Sequence, residues 1–146
     1  MSRRTAKSRP TPPAPAPAEP VDCPCGLPAR YADCCGRLHR GLAQAGTAEQ
    51  LMRSRYAAFA VRDAAYLLRS WHPDTRPPSV DFDPGLRWER LEVLATTEGG
   101  PFHQEGTVTF AAHYRDAGHP GSLRETSRFL RHQGAWVYLD GTIEAD

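Results

Sequence analysis

All four cysteines of this chain fall in one short stretch, residues 23–36, which reads CPCGLPARYADCCG. The segment carries few apolar side chains, Leu27 and Tyr31 with Leu38 just beyond, so burial alone offers little to order it. Fixing a backbone costs about 1–2 kcal/mol per residue. Three chemistries of Cys23, Cys25, Cys34 and Cys35 would supply the missing order or explain the clustering. Structural disulfides suit secreted chains, and no apolar stretch of signal-peptide type follows the basic start. A bond between the adjacent Cys34 and Cys35 would also close a strained small ring. Redox catalysis normally shows Cys-x-x-Cys beside a βαβ pattern, and neither is present. The third reading is a tetrahedral metal site of four thiolates, with two close pairs joined by an eight-residue loop. The spacing favours metal, zinc before iron, without excluding the others. His39 lies four residues past Cys35. Because four thiolates already complete a tetrahedron, His39 is expected at the surface or behind a ligand.

The flanks of this segment differ sharply. Residues 1–21 are basic and proline-rich, and PTPPAPAPAEP forms neither helix nor ladder, so a disordered tail is expected. Beyond a linker at 41–46, Thr47 followed by Gln50 matches a capping box. Met52, Tyr56, Phe59 and Ala60 then share one helical face. Asp63 is a second cap, and Ala64, Leu67, Leu68 and Trp71 continue with helical spacing until Pro73. From Trp88 the period changes to two. Four runs, starting near Trp88, Gly106, Ser122 and Ala135, are separated by glycine-rich turns. Helices followed by a short-looped meander predict an α+β domain with the helices on one sheet face.

The string CPCGLPARYADCCG resembles the SEC-C motif, a small zinc module, although Leu27 and Pro28 stand where that motif prefers Ser-Gly. The resemblance implies zinc held by Cys23, Cys25, Cys34 and Cys35. LMRSRYAAFAVRDAAYLLRSWHP, SRFL and WVYLDGT resemble the YchJ family over roughly residues 22–143. That likeness implies a SEC-C-like zinc knuckle at 22–41 and an NTF2-like domain at 46–143, in which helices pack into a curved antiparallel sheet to form a cone. Because the helix and strand core does not draw on the cysteines, the knuckle is expected to be separable from the cone.

Neither resemblance supplies a reaction, and fold alone does not. The net charge of +1 points to no global nucleic-acid field. No apolar run approaches the length of a membrane span, so no membrane role and a cytoplasmic location are expected. Two function classes follow. The leading one is a protein- or ribosome-interaction adaptor, with Arg30, Arg37 and Arg40 of the knuckle forming a basic docking surface. The alternative is a small-molecule binder or an isomerase- or dehydratase-like enzyme using the cone, with Arg55, Tyr56, His72, Arg128, Tyr138 and Asp140 as candidate lining residues. Strand alternation places Trp136, Tyr138 and Asp140 on one face. No base–nucleophile pair is recognisable, so no catalytic residue is named. His103, His113, His119 and His132 form no ligand pattern. A deep cavity with converging Arg, Asp and Tyr would favour the second class. A filled cone beneath an exposed basic knuckle would favour the first.

Overall fold

The computed structural model describes residues 19–144. The expectation of a disordered tail therefore lies almost wholly outside the described residues. The chain runs through a 3-10 turn, Tyr31–Asp33, then α1 (Cys35–His39), α2 (Ala48–Val61) and α3 (Ala64–Arg69). Four strands follow: β1 (Leu86–Glu98), β2 (Glu105–Asp116), β3 (His119–His132) and β4 (Ala135–Ile143). They form one antiparallel sheet in sequence order, as the short turns require.

Both helix starts rest on the side chains that mark them. Thr47 Oγ1 accepts from the Gln50 N–H at 3.1 Å, and Asp63 caps Tyr66 N–H at 3.0 Å. The capping box is modified: Gln50 Oε1 accepts from Gly46 N–H at 2.7 Å, one residue before the cap. Helix α3 is shorter than its spacing suggested. It stops at Arg69, and Ser70 Oγ donates back to Tyr66 O at 2.7 Å. Trp71 leaves the helix to bridge Tyr138 of β4, with Tyr138 N–H bonded to Ser70 O and His72 N–H bonded to Tyr138 O. This junction fastens the end of the helix pair to the last strand.

The main core joins α2 to the inner sheet face. Leu51, Met52 and Tyr56 meet Leu91, Val108, Phe110, Ala112, Phe129 and Trp136. One close approach of helix and sheet is at the β1–β2 turn. There Gly99 has φ +72 and lies against Ala48, and any side chain at Gly106 would strike Gly99. The register of β1 shifts twice, between Trp88 and Arg90 and between Val93 and Ala95. Such bulges bend a strand and sharpen its twist, which curls the sheet around α2.

Unexpectedly, α2 is buried on two sides. Ala57 packs into the cysteine cluster with Val61 beside it, while Ala58 meets Leu38, Tyr66 and Leu67. The boundary drawn at residues 41–46 is therefore crossed by packing contacts.

Candidate metal centre and cone pocket

The tight loop at the start of the knuckle brings Cys23 and Cys25 together. Gly26, with φ +91, turns the chain there and donates its N–H to Cys23 O. The 3-10 turn and α1 then return Cys34 and Cys35 to the same point. All four Sγ atoms lie within 4.8 Å of one another, and Cys25 and Cys34 are separated by 3.8 Å. A tetrahedron with metal–sulfur bonds of about 2.3 Å has edges of about 3.8 Å, so the cluster fits one metal ion. All four cysteines are free thiols. The electrostatics agree. Hydrogen bonds from Cys25 and Cys35 hold the Cys23 thiol far below its ordinary range. Burial pushes Cys34 up to about 12, and hydrogen bonding with Cys23 raises Cys35. Without a cation, the cluster tolerates little negative charge; a metal reverses that preference and draws the protons off.

The knuckle is tied to the helices by polar contacts as well as packing. Arg53 Nη1 donates to Cys25 O at 2.8 Å, and Arg69 donates to His39 O at 2.6 Å. His39, expected at the surface or behind a ligand, is buried and bridges the two parts. Its Nε2 lies 2.8 Å from Ser54 O and its Nδ1 2.6 Å from the Tyr31 hydroxyl. A carbonyl only accepts, so Nε2 carries the proton and Tyr31 donates to Nδ1. Burial lowers the His39 pKa, which keeps the ring neutral. Burial also lifts Tyr31 to about 12, preserving its donor.

On the other side of α2 lies a half-open cavity of about 280 Å³. Met52, Arg55, Tyr56 and Phe59 form its helix wall, and Phe110, Glu125, Ser127 and Phe129 its sheet wall. Trp71, Trp88 and Tyr138 also line it. Arg55 is buried, with Nη1 donating to Leu67 O at 2.8 Å and to Ser70 Oγ at 2.7 Å.

The surroundings match known proteins across both parts. The family model described as "YchJ, middle NTF2-like domain" matches residues 47–141. The chain belongs to the YchJ family. A UPF0225 protein of Streptomyces avermitilis is 60% identical over 141 residues, covering 96% of this chain and 95% of that protein. A UPF0225 protein of Corynebacterium glutamicum is 48% identical, with 84% and 97% covered. Among solved structures, a SEC-C motif containing protein from Rhodopseudomonas palustris superposes with a TM-score of 0.73 at 34% identity, covering 84% of this chain and 98% of that one. A second, from Psychrobacter arcticus, gives 0.68 at 26% identity, with 88% and 85% covered. The family's NTF2-like fold and the SEC-C character of the cysteine segment thus stand together.

Of the residues singled out for the cone, Arg55, Tyr56 and Tyr138 line the cavity. Arg128 and Asp140 do not. They pair with each other on the outer sheet face, Nη2 to Oδ2 at 2.6 Å, both substantially exposed. Arg128 faces out because it alternates with the buried Ser127 and Phe129, and Asp140 because of a register shift where Arg128 pairs with Asp140 but Phe129 with Tyr138. Leu139 is the extra residue, and strict alternation fails across it. His72 sits against His132, ring centroids 5.0 Å apart, and is not on the cavity wall. Conversely, Glu125 and Ser127 face inward and were not singled out. Their position between the outward-facing Arg124 and Arg128 was the available signal. On the knuckle, Arg30 and Arg37 are exposed, while Arg40 pairs with Glu19 at 3.0 Å.

Two outcomes follow from the bridge to α2. Cys34→Ser should release the metal, read by elemental analysis, and lower the stability of the whole cooperative transition by on the order of 4 kcal/mol in denaturant unfolding. A separable knuckle would leave that transition unchanged. The second concerns pH. The folded pKa of His39 is depressed, so its contribution is full above the unfolded value near 6.5 and is lost as pH falls through the folded value. His39→Gln keeps both hydrogen-bonding roles without the titration. Thermal melts from about pH 7 to pH 5 should therefore fall less steeply for that variant, acid release of metal being common to both proteins.

Proposed function

We propose that this protein is a zinc-braced binding protein whose cone receives a small molecule. The cavity carries the reading: about 280 Å³, walled by aromatic rings, with a buried guanidinium at its edge. Ligand sites have this character, largely apolar with a few placed polar groups. Zinc is the occupant we assign to the thiolates, since four sulfur donors in a tetrahedral cluster suit it and its role here is to hold α2 rather than to react. Four free thiols suit a reducing compartment, which is where we place the protein. Among the described residues, no helix is long and apolar enough to cross a membrane.

A second reading keeps the knuckle as a docking surface for a protein or ribosomal RNA. It is favoured by one observation: the side chains of Arg30 and Arg37 are exposed without hydrogen-bonded partners among the described residues, and Leu27 and Leu42 of the same segment are 43% and 71% exposed. The two readings call on opposite sides of α2 and are separable by mutation.

The cone is tested with a neutral fluorophore, N-phenyl-1-naphthylamine, titrated into the zinc-loaded chain. Saturable uptake at one site per chain is expected, and Ala112→Phe, which directs a ring into the cavity, should abolish it while leaving the circular dichroism unchanged. Uptake that survives this filling would place the dye elsewhere and sink the reading. The knuckle is tested by replacing Arg30, Arg37 and Arg40 together with Ala. Metal content should hold while binding to ribosomes falls and its salt dependence flattens, by a log–log slope of about 0.7–0.9 per lost phosphate contact.

A further inference from the structure

If the cone is a binding site, as proposed above, its buried charge narrows what it binds. Arg55 is 6% exposed. Its guanidinium carbon sits 4.8 Å from the Trp71 ring centroid and 4.5 Å from that of Tyr138. Only Nη1 is hydrogen-bonded, to Leu67 O and Ser70 Oγ. Nε and Nη2 find no acceptor among the described residues, yet they are not sealed off. By contrast, the described side-chain donor that is sealed from solvent without a partner is Trp71 Nε1.

The cation also lacks a counterion in contact, and Glu125 acts on it only through space. No described carboxylate forms an ion pair with Arg55. Glu125 is the acid on the cavity wall, but it accepts from Ser127 Oγ at 2.6 Å and packs over Gly141. Burial lowers the Arg55 pKa only to about 10, so the group stays charged at neutral pH. A buried charge without a partner is costly, and aromatic faces offset only part of that cost. A guanidinium edge with two free, parallel donors is the shape that a carboxylate meets. A dianionic phosphate would need more donors than this wall holds, and Glu125 would oppose its second charge. The remaining surface is apolar and mostly aromatic: Tyr56, Phe59, Trp88, Phe110 and Phe129, with Met52, Ala112 and Leu123. Flat apolar bodies gain most against such walls.

We propose that the cone binds a small aromatic monocarboxylate, its carboxylate against the free edge of Arg55 and its ring among the aromatic side chains.

The test titrates zinc-loaded, full-length protein with three matched probes, 2-naphthylacetate, 2-naphthylacetamide and 2-(2-naphthyl)ethylamine, by isothermal calorimetry. The acid should bind at least about tenfold more tightly than the amide, the difference expected for a charged hydrogen-bonded pair, with the amine weakest. Arg55→Met should erase the preference for acid over amide. Because that variant gives up two internal hydrogen bonds, Glu125→Gln provides the second arm. It keeps an acceptor for Ser127 while removing the negative charge on the wall, and should tighten the acid by about two- to threefold. Amide binding equal to acid, or amine binding tightest, would overturn the carboxylate assignment and leave the cone a binding site for other chemistry. Failure of all three probes in protein that still takes up the neutral dye would do the same. Failure of all three together with the dye would overturn the cone reading itself.

Discussion

The hydrogen bond from His39 to the Ser54 carbonyl joins two parts that the chain could have left independent. Ser54 sits in the middle of α2, where a carbonyl already accepts the helical N–H but keeps a second lone pair. His39 takes that position without breaking the helix, and Tyr31 holds the imidazole from behind. The His39 ring also lies 4.6 Å from that of Tyr66, so the contact is packed as well as bonded. The position of α2 is thereby set from the knuckle side. Its opposite face supplies Met52, Arg55, Tyr56 and Phe59 to the cavity. The metal centre and the cone are two faces of one helix.

This explains which parts of the fold were legible in the residues. Thr47, Asp63 and the glycine-rich turns act locally, so their roles could be read one at a time. The large side chains of α2 marked the cone face correctly. Its second buried face is made of Ser54, Ala57 and Ala58, all with essentially no exposure. Residues this small carry almost no periodic signal, yet their size is what lets the knuckle approach the helix backbone. The burial of His39 was hidden for the same reason. Nothing near it in sequence announces the carbonyl it meets, which lies fifteen residues away.

The cone was legible only in part, because counting by twos assumes an unbroken ladder. From Trp136 to Tyr138 the count works. One extra residue, Leu139, then turns Asp140 outward to Arg128. The same arithmetic on β3 would have placed Glu125 and Ser127 inside, since Arg124 and Arg128 face out. Arg55 was named from its type and helix position. Its stacking between Trp71 and Tyr138 depends on Trp71 leaving its helix for a bridge with β4, a tertiary event that helical spacing does not encode.

The two faces of α2 pose opposite charge problems. On one, four sulfurs gather where anionic charge needs a cation. On the other, a guanidinium is buried where cationic charge needs an anion. They cannot answer each other. A helix with its side chains is about 10 Å across. At that distance, with an effective dielectric near 20, two unit charges attract by only about 1.7 kcal/mol. Burying either ion costs several kcal/mol. Direct contact could repay such a penalty, but the backbone of α2 prevents contact. Each charge must be matched on its own side of the helix, by a metal at the thiolates and by an acidic group in the cone.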